Sequence, residues 1–153
     1  MYIPEALYRR VINHCREEKP LEACGLLAGE RGHVLSAYAT DNGQRSPVVY
    51  SVDHQQLVQA LHEIESHQQQ LVAIYHSHVR TPAVPSGTDV GQATWPEAFY
   101  VIVSLAHRRP QMRAWRIVDG QVTEHPVVIV REAHGGWYDL RRVAVKRSEN
   151  DIS

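Results

Sequence analysis

The chain has 153 residues, with 16 basic against 17 acidic side chains, a formal charge of -1 and a hydrophobic fraction of 43%. That length supports one well-buried core and is too short for two comfortable domains, and the balanced charge argues against nucleic acid or an anionic membrane as partner. No run of about 18 apolar residues exists to span a bilayer, and Met1-Tyr2-Ile3-Pro4-Glu5 lacks the basic stretch and apolar core of a signal peptide, so a cytoplasmic protein is expected.

Pro4 at a helix start, then Leu7, Val11 and Cys15 at helical spacing, predicts a first helix over residues 4–18, blocked from continuing by Pro20. Cys15 and Cys24 fall on separate elements without Cys-x-x-Cys spacing, so two buried thiols are expected rather than a disulfide. Residues 23–28 and 34–39 flank a Gly-containing turn and read as a hairpin. Loop chemistry fills residues 41–47, with another strand expected over residues 48–52. Asp53 is an N-cap for a second helix that carries Leu57, Leu61 and Ile64 on one face and runs to about residue 69.

The apolar run Leu71-Val72-Ala73-Ile74-Tyr75 then reads as a strand closing in His76-Ser77-His78. A Pro-rich loop, 79–85, leads to a short helix opening near Ser86. Strands are expected over residues 99–105, 112–118 and 122–130, the last two joined by the hairpin signal Asp119-Gly120. Helices between groups of strands give a mixed α/β (α+β) fold with a mainly antiparallel sheet. Gly135-Gly136 marks a boundary between a folded unit, residues 1–133, and a basic tail, residues 134–153, carrying Arg141, Arg142, Lys146 and Arg147. Such a tail either frays or docks onto a partner.

Alternate residues of a strand share a face, so the imidazoles of His76 and His78 can reach one ion. Ser86 follows after seven residues and Asp89 after two more. Two His and one Asp leave a fourth tetrahedral position for water, the arrangement of a catalytic zinc rather than a structural one. A blander account stays open, because ten histidines make a chance pair possible and Ser86-x-x-Asp89 also resembles a helix capping box. Asp is shorter than the Glu or Gln that such a box favours and reaches back less well. A rival motif, His62-Glu63 with His67, fails on spacing: the fifth position lies about 140° round a helix from the first, off the shared face.

Tyr75-His76-Ser77-His78 with Ser86 and Asp89 at this distance resembles the JAMM (MPN+) metalloprotease family, whose motif is Glu, then His-x-His, seven residues, Ser, two residues and Asp. Glu22-Ala23-Cys24-Gly25-Leu26-Leu27 is similar to the segment that bears the family's Glu. Ala93-Thr94-Trp95-Pro96 and Tyr100-Val101-Ile102-Val103-Ser104-Leu105 resemble compact prokaryotic members, so the likeness spans roughly residues 1–130. It implies a single MPN/JAMM-like domain over residues 1–133, with a curved, cytidine-deaminase-like sheet flanked by helices. It also implies His76, His78 and Asp89 as ligands of Zn2+, with water completing the shell. Glu22 is then the base that takes that water's proton and Ser86 the donor to the developing oxyanion. Without the resemblance, Glu22 is an ordinary acidic residue ahead of a strand.

The short frame leaves little room for the insertions by which eukaryotic relatives grip ubiquitin chains. The resemblance therefore implies a peptidase or isopeptidase acting after the C-terminal Gly-Gly of a ubiquitin-like or sulfur-carrier protein, for example in releasing cysteine during cysteine biosynthesis. Related domains often dimerise, which leaves a homodimer open. Two other classes also stand open: a non-catalytic MPN scaffold that binds protein partners, and a metal-dependent amidohydrolase acting on a small molecule. Arg108, Arg109, Arg113 and Arg116 either steer an acidic carrier or form a solvated hairpin.

Overall fold

Alternation along the central strands sets the layers of this chain, because successive side chains of a strand face opposite sides of the sheet. The computed structural model describes residues 1–131 and 134–142. Its elements are β1 (Tyr2–Pro4), α1 (Glu5–Glu18), β2 (Cys24–Glu30), β3 (His33–Thr40), α2 (His54–Ser66), β4 (Gln70–His78), α3 (Gly87–Gly91), β5 (Phe99–Ser104), β6 (Gln111–Val118), β7 (Gln121–His125), β8 (Val128–Val130) and β9 (Gly136–Asp139). The strands form one sheet in the order β7-β6-β5-β4-β2-β3-β1-β8, with β9 also paired to β3. The long β2–β3, β2–β4, β5–β6 and β6–β7 ladders are antiparallel, whereas β4–β5 and the short β1–β3, β1–β8 and β3–β9 ladders are parallel.

On one face, Leu27, Tyr75, Val101 and Val103 pack against Leu7, Val11 and Cys15 of α1. On the other, Leu26, Ile74 and Tyr100 pack against Ala60 and Ile64 of α2. A strand covered on both faces reads as a continuous apolar run, and β4 is buried from Val72 through His78. His76 and His78 share the α2 face with Ile74, while Ser77 points toward α1. Cys15 and Cys24 are both free and buried.

The first helix, the first hairpin and the second helix match the sequence expectation closely, and Asp53 caps α2 by accepting from the Gln56 amide. That helix stops at Ser66, three residues early, as Gln68 adopts a φ of 57°. Three expectations are corrected. Residues 48–52 form no strand: only Val52 makes an isolated bridge, to Asn42, and the segment hangs from the Asn42 side chain instead. The expected strand over 122–130 splits at Pro126, which lacks an amide hydrogen for a ladder. Its second half, β8, leaves to pair with β1, an edge hidden in sequence by the helix-start proline.

The third correction concerns the tail. Residues 136–139 add a strand beside β3, and Arg141 pairs with Asp139, Glu18 and Glu17. The folded unit therefore continues past residue 133 to Arg142, and Lys146 and Arg147 lie outside the described residues. Among the described residues no helix is long and apolar enough to cross a membrane.

One buried polar contact ties α1 to the strand that carries the histidine pair. The ring of Tyr75 lies across Gly25, where an added Cβ would come within 2.4 Å of it. Its hydroxyl reaches His14 Nδ1 at 2.6 Å. Burial pushes the Tyr75 phenol far up, so Tyr75 is the donor and a neutral His14 the acceptor. Burial, reinforced by Arg141 and opposed by Asp139, holds His14 down at about 3. An unfolded imidazole titrates near 6.5, so below that pH the unfolded chain takes up a proton that the native state refuses. Stability from this site is complete above pH 6.5 and is lost as pH falls toward 3, by up to ~5 kcal/mol at about 1.4 kcal/mol per unit. Urea midpoints at pH 7 and pH 4 should therefore separate further for the wild type than for His14→Gln. Equal separations would show that His14 is not the titrating group.

Candidate metal centre

The site stands at the C-terminal end of β4, where the chain turns through the 79–85 loop and α3 before returning as the parallel strand β5. Crevices at the C-terminal ends of parallel strands are where α/β sheets expose functional groups. His76 Nε2, His78 Nε2 and Asp89 Oδ2 form a triangle with sides of 3.2, 3.0 and 3.2 Å. All three residues are buried.

This triangle fits a cation. His78 donates its Nδ1–H to the Pro82 carbonyl at 2.8 Å, so in the neutral ring Nε2 is left as a lone pair. A carboxylate oxygen and two imidazole nitrogens thus converge on one point. Ligand bonds of about 2.0–2.1 Å around a tetrahedral ion give edges of roughly 3.3–3.4 Å, close to the spacing seen here. Against the cost of burial, the two histidine rings and the Ser86 amide hold Asp89 far below the usual carboxylate range. In His78, burial lowers the ring's pKa but is outweighed by Asp89 and the Pro82 carbonyl, which raise it. The other ring, His76, is fully buried with Nδ1 unpartnered, and Tyr50 stacks on it at 4.0 Å between centroids.

Asp89 also closes a capping box. Its Oδ2 accepts from the Ser86 amide at 2.9 Å, and the Ser86 Oγ accepts from the Asp89 amide at 3.0 Å. Asp was expected to reach back less well than Glu or Gln, yet with Ser86 extended at the N-cap both bonds of the box form. Capping and triangle meet in one oxygen. With its lone pair engaged by Asp89, the Ser86 hydroxyl keeps its hydrogen for another acceptor.

Glu22 reaches the site by register. Cys24 pairs with His76 across β2 and β4, and continuing that antiparallel register sets Glu22 opposite His78 on the same face. Ser77, between the two histidines, fixes this register from the other face: its hydroxyl and amide bond the Ala23 amide and carbonyl at 2.8 and 3.0 Å. Glu22 is 4% exposed and its Oε1 has no partner among the described residues. Burial, with Asp89 adding to it and His78 opposing, pushes its carboxyl up to about 7. Glu22, His78 and Ser86 line one cavity of about 470 Å³.

Three contributors were not legible in the sequence. Asn42 accepts from the Gln44 and Ser51 amides through Oδ1 and donates to the Glu22 and Val49 carbonyls through Nδ2, so one buried side chain hangs the 43–51 loop beside the Glu22 backbone. Tyr50 and Ser77 act through packing and register that no spacing rule announces. The rival pair, His62 on α2 and His67 just past its end, is exposed and takes no part in the site. Two of the arginines singled out above are engaged locally, Arg113 with Glu124 and the Trp115 ring, and Arg116 over Phe99.

Residues 4–118 match the family model described as prokaryotic homologs of the JAB domain. A protein of Mycobacterium tuberculosis named CysO-cysteine peptidase is 41% identical over 133 residues, covering 82% of this chain and 88% of that protein. A desampylase of Pyrococcus furiosus is 31% identical over 124 residues, covering 80% and 86% of the two chains. Among solved structures, a Desulfitobacterium hafniense protein determined in solution superposes with a TM-score of 0.80 at 29% identity, covering 86% of this chain and 94% of that one. The matching model spans most of the chain, including β2, β4 and α3 and with them every residue of the triangle and its neighbouring carboxylate, and the chain belongs to the prokaryotic JAB (JAB/MPN) family.

Proposed function

We propose that the chain is a zinc peptidase that hydrolyses the amide bond after the C-terminal Gly-Gly of a small ubiquitin-like or sulfur-carrier protein. The observation that carries this reading is the buried Glu22 carboxyl, its Oε1 unpartnered among the described residues, sharing one cavity with Ser86 and with His78 of the His76–His78–Asp89 triangle. Relatives named for cleaving carrier conjugates support the substrate class. The two free thiols go with a reducing, cytosolic location.

His76, His78 and Asp89 would hold the zinc, with the Pro82 carbonyl fixing the His78 ring and Tyr50 bracing His76. Bound there, zinc supplies Lewis acidity that lowers the pKa of water toward about 7 and polarises the scissile carbonyl. Glu22, poised at about 7, takes the proton of the attacking water and hands it to the leaving amine. Ser86 donates its free hydroxyl hydrogen to the oxygen on which negative charge develops.

The test uses zinc-loaded protein and each Gly-Gly-terminated β-grasp carrier of the same genome, extended by one residue. Release of that residue, read by mass, is expected to stop with chelator and return with zinc. No release from any carrier would sink the substrate assignment. Chelator-resistant release would sink the metal mechanism.

A further inference from the structure

We propose that Arg80 receives the free α-carboxylate of the residue released from the carrier, so that this chain removes a single C-terminal residue rather than opening a lysine isopeptide. The inference rests on the peptidase reading above and adds the identity of its leaving group.

Proton delivery decides which cavity the leaving group occupies. The carboxyl that takes the proton of water must return it to the departing nitrogen, so that nitrogen lies beside Glu22. Among the described residues, the Glu22 cavity has Arg80 as its one Lys or Arg side chain, with the rest of its wall formed by groups such as Pro47, Val48 and Thr81. A second cavity, of about 420 Å³ on the Tyr50 side, is lined by no charged residue among the described residues. A leaving group with its own negative charge belongs in the first and would be poorly served in the second.

Arg80 itself is exposed at the mouth, and no carboxylate among the described residues pairs with it. The three residues that follow it are nevertheless held. The carbonyl of Thr81 accepts from Ser104 Oγ at 2.6 Å, that of Pro82 from His78 and that of Ala83 from Trp115 Nε1 at 2.9 Å. Three successive carbonyls are thus pinned next to a cationic side chain with nothing to bind. Preorganising the loop that presents a guanidinium cuts the ordering cost of using it.

The reaction balances without any further reagent. The Gly C–N bond breaks and a C–O bond to water forms, giving the carrier's Gly-Gly carboxylate and an amino acid whose ammonium takes up the proton relayed by Glu22. In a linear cleavage the carboxylate of that amino acid is one carbon from the nitrogen, within reach of a guanidinium on the same cavity wall. In an isopeptide cleavage the nitrogen is a lysine Nζ followed by methylenes, which offer Arg80 nothing. Guanidinium and carboxylate match in a two-point hydrogen-bonded fork.

The test compares three forms of one carrier: Gly-Gly followed by alanine as the free acid, by alanine α-carboxamide, and by the Nζ of acetyl-lysine amide. Wild-type enzyme is expected to favour the free acid by about tenfold or more in kcat/KM, mainly through KM, as for a charge-assisted hydrogen bond. In Arg80→Gln the acid-to-carboxamide ratio should collapse toward one, and Arg80→Lys should restore part of it. An unchanged zinc content and thermal midpoint in both variants would exclude misfolding as the cause. Equal turnover of acid and carboxamide by the wild type, a preference that survives Arg80→Gln, or isopeptide cleavage as fast as that of the acid would each overturn the proposal while leaving the peptidase reading intact. Failure to cleave any of the three forms would overturn both.

Discussion

Replacing Glu22 by Gln is expected to lower kcat by about 10²–10⁴-fold, the usual worth of a positioned general base, while zinc content stays at the wild-type level. Gln keeps the shape and the hydrogen-bonding reach of Glu but cannot take a proton. The carboxylate is not part of the His76–His78–Asp89 triangle, so its loss should leave the ligand set intact. Burial of a partnerless oxygen is a cost to the fold, and the neutral amide relieves the charge, so the variant should be no less stable than the wild type. Turnover of a Gly-Gly-extended carrier together with metal analysis by atomic emission checks both halves. Zinc lost with Glu22→Gln would make Glu22 a ligand rather than a base, and undiminished turnover would remove it from the chemistry.

What the sequence could and could not show follows from the range of the forces involved. Helix periodicity, N-caps and the Asp119-Gly120 turn act over a few residues, so α1, α2 and the hairpins were legible almost to their ends. The triangle was legible for the same reason, since i and i+2 on a strand and Ser-x-x-Asp at a helix start are local patterns. Glu22 was not: its place depends on the β2–β4 register, set by Ser77 gripping Ala23 across 54 residues, and only the family likeness singled it out. Asn42 was invisible too, because an Asp-Asn-Gly run reads as a turn and nothing local says that its amide will hang a loop. The parallel additions β1, β8 and β9 are short strands whose partners lie far away in sequence, where periodicity carries no information. Pro126, by contrast, was a local signal within the expected strand and should have divided it.

Asp89→Ala is expected to reduce zinc affinity by well over ~100-fold, because weakening a mere supporting contact to a ligand already costs about 10–100-fold. It should also destabilise the zinc-free protein. The substitution removes one of the two capping-box bonds outright and leaves the Ser86 amide without its acceptor, a change worth ~1 kcal/mol at a helix start. Asp89→Asn separates these roles. The amide oxygen of Asn can still accept from the Ser86 amide, so the zinc-free variant should unfold closer to the wild-type midpoint than Asp89→Ala does, yet a neutral amide is a poor zinc ligand and affinity should still collapse. The complementary change, Ser86→Ala, loses the other capping bond and the hydroxyl donor while keeping all three ligands, so zinc should stay and turnover fall. Competition against a chromophoric chelator gives the affinities, and thermal unfolding in excess chelator gives the stabilities. If Asp89→Asn bound zinc like the wild type, the triangle would be a capping arrangement that happens to lie beside two histidines, and the metal assignment would fall with it.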